Sequence, residues 1–287
     1  MNDLEIKPLS NNSTFNKLSK DYYIKYDVHC SHNIILLNSS LERIGFWEPF
    51  KINLQILLVL NNETIIVVSY KLITILKVEN KEFKKIQDIN DKDIISADAI
   101  MELKNNKIVI LIDAMLIILI KENEEYKIEH KIKVEMLRSQ IEYITDNKIL
   151  LLEKKIYFFL YILDFSENNP KKQKLNANLD FKLDVLYKYK CMFKFKNDII
   201  IFVIDKNLHF FDLKNEEIIS NYEMEGRMTD LIYFKDDSYL CCFPALKIIL
   251  LVTFYNNEFI IKDSKNYDSK FYRNGKINLI NNKLFII

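Results

Sequence analysis

The sequence predicts an all-β chain, a β-propeller of four-stranded antiparallel blades, six or seven in number. The first observation behind this is a short apolar run that returns six times. It appears at Ile65–Val68, Ile108–Leu111, Ile149–Leu152, Ile199–Phe202, Leu240–Phe243 and Leu284–Ile287, each time after an Asn- or Asp-rich turn. The second is the spacing: the first residues of successive runs are 43, 41, 50, 41 and 44 apart. A period near that value marks repeated small sheets, none able to bury its own faces alone. The third is that polar turns divide each repeat into four strand-length pieces.

Asp93 to Val134 serves as the pattern for one unit. Ile94 to Met101 is a first strand, and Lys104 to Lys107 a turn. Ile108 to Ile112 is apolar on both faces and must be covered on both sides. Asp113-Ala114 reverses the chain into Met115 to Ile120, and Glu122 to Glu125 reverses it again. Tyr126 to Ile132 mixes polar and apolar residues, as a half-exposed edge strand should.

The same order recurs elsewhere. Ile52–Leu60, Thr64–Ser69, Leu72–Val78 and Phe83–Ile89 form one unit, and Met228–Phe234, Ser238–Phe243, Lys247–Tyr255 and Phe259–Lys265 another. The unit around Ile199 takes Tyr189–Phe195 as its first strand and Ile218–Met224 as its last. Around Ile149 a polar loop, Ser166–Lys174 with Pro170, stands before the outer strand and accounts for the 50-residue step. Strands near Lys276–Ile280 and Leu284–Ile287 begin a last unit. Residues 21–287 are read as one propeller domain, closed by N-terminal strands pairing with 276–287. Residues 1–20 are read as a polar, flexible leading segment. A strand from Tyr22 to Asn38 is the expected closing partner, the alternative being a partner protein that donates the missing strands, since an apolar free edge invites aggregation.

Composition excludes several classes. With 41 basic and 40 acidic residues, a net charge of +1 does not fit a globally basic nucleic-acid binder. Half the chain is apolar (49%), enough for a substantial core. Three Gly and four Pro are few for so many turns, so Asn and Asp must supply them. No run reaches the roughly 18 apolar residues of a spanning helix. Met1–Lys20 lacks the apolar centre of a signal peptide, and four Cys show no disulfide framework, which together point to the cytoplasm or nucleus.

The segment from Ile204 to Glu217 resembles the turn and third strand of a WD40 repeat. Asp205 stands where that family often has a turn Asp, and Phe211-Asp212 where it has Trp-Asp. By period the likeness covers most of residues 50–287; by motif it covers one blade. The resemblance implies a propeller whose rim loops, carried on a rigid frame, dock other proteins.

Chemical motifs are sparse. His29-Cys30-Ser31-His32 is the sole His/Cys cluster, and no second ligand pair accompanies it, so no metal site is assigned. No phosphate loop, nucleophile elbow or HExxH motif occurs, and no cofactor is implied. Asp98, Glu142, Asp230 and Asn278 lie on first strands without a shared position. A basic stretch spans 170–196. In it Tyr187, Tyr189, Cys191, Phe193 and Phe195 alternate with Lys188, Lys190, Met192, Lys194 and Lys196. An extended strand would place the lysines on one face as candidate anion-binding residues.

The reading is therefore a non-catalytic protein–protein interaction scaffold, a subunit of a larger complex with other proteins as partners. Binding of anionic lipid or nucleic acid through 170–196 is the first alternative, and a hydrolase with its site in the central channel the second.

Overall fold

The computed structural model describes residues 5–8, 13–19, 21–27, 33–48, 54–60, 63–103, 106–134, 139–154, 158–167, 169–175, 191–196, 198–255, 258–267, 277–280 and 283–286. Strand β1 (Glu5–Pro8) comes first. The first sheet in chain order holds β2 (Ser13–Lys17), β3 (Tyr22–Asp27), β4 (Ile34–Asn38) and β5 (Arg43–Trp47). The next holds β6 (Leu54–Val59), β7 (Thr64–Ser69), β8 (Leu72–Glu79) and β9 (Glu82–Asn90). A third holds β10 (Ala97–Glu102), β11 (Lys107–Ile112), β12 (Met115–Glu122) and β13 (Glu125–Lys133). The fourth holds β14 (Gln140–Thr145), β15 (Lys148–Lys154), β16 (Phe158–Asp164) and β17 (Lys171–Lys174).

The fifth holds β18 (Met192–Lys196), β19 (Ile199–Ile204), β20 (Asn207–Asp212) and β21 (Glu217–Glu223). The sixth holds β22 (Asp230–Lys235), β23 (Ser238–Phe243), β24 (Ile248–Tyr255) and β25 (Glu258–Asn266). Finally β26 (Ile277–Ile280) and β27 (Lys283–Ile286) join β1 in the order β1-β27-β26. Among the described residues there are thus six four-stranded sheets and one of three strands.

Two compact units divide the chain. One comprises Asn12–Ile141 and Thr145–Lys148, the other Met1–Asn11, Glu142–Ile144 and Ile149–Ile287. In the first unit, Ile24, Ile34 and Leu36 pack with Ile65, Val67 and Leu76, while Ile66, Val68 and Ile75 pack with Ile110, Ile117 and Leu119. Adjacent sheets therefore bury opposite faces of the same strand, which is why the middle of β7, β11, β15, β19 and β23 is apolar. In the second unit, Leu150 and Leu152 pack with Ile200 and Phe202, and Ile201 and Phe210 with Cys241 and Val252. Val67, Ile110, Leu151 and Ile200, expected at equivalent buried sites, are all buried in β7, β11, β15 and β19.

The turns explain how a glycine-poor chain folds this way. Asn80-Lys81, Asn123-Glu124 and Asp236-Asp237 each place two consecutive residues at positive φ. They connect β8–β9, β12–β13 and β22–β23, where the mirror-image turn matches the strand twist and Asn or Asp tolerates the left-handed backbone. Outer strands share another device. Ile44, Ile86, Glu129, Ile219 and Lys262 are each skipped by the pairing of β5, β9, β13, β21 and β25 with the third strand. Such a bulge twists an edge and discourages indiscriminate pairing.

Two expectations need correction. The last sheet is joined by β1, which runs parallel to β27 with Glu5 opposite Lys283 and Pro8 opposite Ile286. Tyr22–Asn38 does not fill that place, because it forms β3 and β4 of a complete sheet. In that sheet the most apolar strand, Ile34–Asn38, is third rather than second. Measured between second strands, Tyr22 to Thr64, the step is 42 (64 − 22), an ordinary repeat. Residue 20 falls between β2 and β3, which pair with each other. Further on, Lys171–Lys174 is not loop but the outer strand β17 itself, paired through Tyr161 opposite Lys174. All four of its residues are exposed, and an edge strand needs no apolar residue to pair its backbone.

Candidate interaction surface

The basic stretch is built differently from a lysine-lined face. Lys188 and Lys190 lie outside the described residues. Lys194 and Lys196 sit in β18, where Met192 is buried on the face expected to carry lysines. Lys194 is half-buried: its Nζ donates to the Ile144 carbonyl at 2.6 Å and stands 4.7 Å from the centre of the Tyr143 ring. Burial pulls its ammonium below the ordinary lysine range, while Glu142 and Asp198 oppose that shift. Lys196 reaches the Asp237 carboxylate at 3.3 Å. Of the upstream lysines, Lys171 pairs with Glu167 and Lys172 with the fully buried Glu153, each at 2.5 Å. Lys174 lies over the Phe159 ring. Each described lysine of the stretch thus has a partner within the fold.

The described first-strand candidates have surroundings of their own. Asp230 is structural: Oδ2 accepts from the Ile277 N–H at 2.8 Å and Oδ1 from Leu231 N–H at 3.0 Å. Asp98 is skipped in the pairing of β10 with β11, and its carboxyl is pushed up mainly by desolvation, then by Asp113. Asn278 belongs to β26. Among the described residues no three His, Cys, Asp or Glu side chains are placed to hold a metal ion. The His29–His32 cluster lies outside the described residues. Cys191, Cys241 and Cys242 are buried. Burial drives Cys241 well above its usual value and Cys242 to about 12, the opposite of what a reactive thiol needs. No described helix is long and apolar enough to cross a membrane.

A set of bonds between neighbouring sheets was missed in the sequence. Gln55 of β6 donates to the Ile95 carbonyl at 2.6 Å and accepts from the Ala97 N–H at 2.9 Å. Gln87 of β9 does the same for Tyr126 of β13, both at 2.8 Å. In the other unit, the Tyr222 hydroxyl accepts from the Phe259 N–H at 2.8 Å. A side-chain amide carries a donor and an acceptor with peptide-like geometry, so it can stand in for a missing strand neighbour. The legible signal was weak: a lone Gln on an otherwise typical strand, one repeat before its partner.

Exposed apolar surface is unevenly spread. Of nine large apolar side chains exposed among the described residues, five belong to the sheet β22–β25 and its connections: Tyr233, Leu246, Tyr255, Ile260 and Ile261. Ile260 occupies the place in β25 that Lys84 holds in β9, both opposite the sixth residue of the third strand.

No protein-family model matches the chain, and no curated protein matches it in sequence. Solved structures do. A chain of the mitotic checkpoint complex aligns with TM-score 0.65 at 10% identity, over 93% of this chain and 78% of that one. Hsv2 of Kluyvelomyces marxianus aligns with TM-score 0.62 at 12% identity, over 91% and 88%. The Cps50 (Swd1) β-propeller domain of Myceliophteria thermophila aligns with TM-score 0.52 at 10% identity, over 71% and 68%. The chain has the β-propeller fold. At these identities the likeness concerns fold. In the segment whose sequence resembles a WD40 repeat, Phe211 is buried and Asp212 caps its turn by accepting from Lys214 N–H at 2.8 Å.

Proposed function

We propose that this propeller is a non-catalytic platform for protein–protein contacts and works as a subunit of a larger assembly in the cytoplasm or nucleus. The observation that carries this is the fold itself, shared with solved structures that include a β-propeller domain and a chain of the mitotic checkpoint complex. The raised thiols of Cys241 and Cys242 add support, since neither suits nucleophilic chemistry. Affinity purification of the tagged full chain after mild crosslinking, read by mass spectrometry, tests it. Recovery of a stoichiometric protein partner is expected; turnover of a small substrate by the isolated chain overturns it.

Anion binding by 170–196 draws less support, because Lys194 and Lys196 already have partners within the fold. Co-sedimentation with anionic liposomes and oligonucleotide binding at low salt check it, with steep weakening as salt rises expected of true phosphate contacts.

A further inference from the structure

The connection between β9 and β10 is tied to the turns on both sides of it. Lys71 N–H, in the β7–β8 turn, donates to the Ile94 carbonyl at 2.7 Å, and Asp91 N–H donates back to the Lys71 carbonyl at 3.1 Å. On the other flank Asp113 N–H, in the β11–β12 turn, donates to the Ser96 carbonyl at 3.2 Å. Gln55 holds Ile95 and Ala97 between them. These bonds fix the backbone and set four side chains in a row. Tyr70 precedes Lys71, Ile95 follows Ile94, and Asp98 and Asp113 lie beside the Ser96 bond.

Two of these side chains are apolar where the fold does not require it. Tyr70 is 53% exposed and Ile95 54%. The first residue of the two-residue turn is Asp113 between β11 and β12 and Asp205 between β19 and β20; between β7 and β8 it is Tyr70. Lys71 Nζ lies 4.9 Å from the Tyr70 ring centre, so this ring already accommodates an ammonium. The other two side chains are carboxylates. Asp98 is skipped between Ala97, opposite Ile112, and Ala99, opposite Leu111, which sets it next to Asp113. Neither carboxylate has a hydrogen bond or ion pair among the described residues. Asp91 and Asp93 differ, since Lys131 reaches them at 2.7 and 2.6 Å. Desolvation and then Asp113 push the Asp98 carboxyl up, so this pair of charges weakens the fold at neutral pH.

We propose that this surface docks a partner protein through a short segment in which an arginine or lysine stands close to an apolar residue. The cation meets Asp98 and Asp113, and the apolar side chain covers Tyr70 and Ile95. This rests on the platform reading and gives it a location and a partner chemistry. Charge selects the occupant. A second copy meeting this surface across a two-fold axis would bring the same carboxylates against each other. A neutral apolar segment would cover the carboxylates and leave them without a partner.

A phage-displayed library of random peptides, panned on the immobilised full chain at low salt, supplies the probe. Enriched peptides are expected to carry Arg or Lys close to an apolar residue, and their binding should weaken as salt rises. Asp98→Asn, Asp113→Asn, Tyr70→Ser and Ile95→Ser should each weaken binding of a synthetic enriched peptide about tenfold or more. Asp236→Asn, at an exposed turn carboxylate of the other unit, should leave it unchanged. Asn at position 113 keeps a side chain that tolerates the positive φ there. Asp98→Asn is expected to be more stable than wild type at neutral pH, which separates lost binding from lost folding; circular dichroism checks the other variants. The proposal is overturned if no peptide is enriched, if the enriched peptides lack basic residues or ignore salt, or if Asp98→Asn and Asp236→Asn bind alike. It is equally overturned if Tyr70→Ser and Ile95→Ser bind as wild type does, or if crosslinking places a second copy on this surface. A stoichiometric partner recovered equally well by wild type and Asp98→Asn sinks this proposal while leaving the platform reading intact.

Discussion

Gln87 and Tyr126, 39 residues apart, are joined by two hydrogen bonds of 2.8 Å that run from one side-chain amide to both backbone groups of a residue in the next sheet. The bond pair replaces what a neighbouring strand would provide, and it does so at one repeat length.

Replacing Gln87 with Ala should therefore cost about 1–3 kcal/mol, the penalty for leaving partly buried backbone groups without partners. Gln87→Glu keeps the acceptor for the Tyr126 N–H but loses the donor, and should cost less than Gln87→Ala. Urea denaturation of the three proteins checks the order. Equal stability of wild type and Gln87→Ala would remove the role assigned to this contact.

Gly45 and Gly226 differ in what a side chain would meet. A Cβ at Gly45 would stand 2.8 Å from the Lys81 carbonyl oxygen, a backbone atom held in the β8–β9 turn. At Gly226 the same distance is to Leu246 Cγ, part of an exposed and flexible side chain. Gly45→Ala should destabilise by about 1–3 kcal/mol through forced backbone movement. Gly226→Ala should cost clearly less, and thermal melts of both variants measure the difference.

Lys194 and Lys196 should part company under charge reversal. Lys194→Glu removes the donor to the Ile144 carbonyl and places a carboxylate near Glu142, so a loss of about 1–3 kcal/mol is expected. Lys196→Glu loses only an exposed pair and should change stability by about 1 kcal/mol or less. Denaturant titration of the single variants reads this directly.

Two groups tie stability to pH in the same molecule. His209, whose ring is held below its ordinary value by burial against the opposing bond to Asn221, contributes stability that is full above its unfolded value. That contribution is lost as pH falls through the folded value. Asp98 has the reverse sign, since desolvation and Asp113 raise its carboxyl. Its contribution is full below the unfolded value and lost as pH rises through the folded one. Asp98→Asn should thus be more stable than wild type at neutral pH, with the gap closing in acid. NMR titration of the His209 ring and urea melts of Asp98→Asn across pH test the two signs.

The repeat was legible because the second strands are buried on both faces, which forces runs such as Ile108–Leu111 and Ile149–Leu152 to be uniformly apolar. Where that demand relaxes, reading fails. Strand β3 carries Lys25 and Asp27, so in that sheet the third strand β4 is the most apolar run. Strand β17 is four exposed polar residues, a composition that reads as loop. Met192 is buried between sheets although its neighbours alternate with aromatics, because packing on both faces overrides a simple two-residue period. The bonds of Gln55, Gln87 and Tyr222 left almost no trace, since one polar residue on a strand means little until its partner across the repeat is known.

The pairing of β1 with β27 also sets a schedule for synthesis. Glu5 leaves the ribosome 278 residues (283 − 5) before its partner Lys283. At cellular rates of about 5–20 residues per second, that interval is roughly 14–56 s. Sheets built from consecutive hairpins can form as they emerge, while β1 must wait for a strand not yet translated. Its brevity, four residues ending in a proline that offers no N–H, suits a segment that has to stay unpaired until its partner arrives.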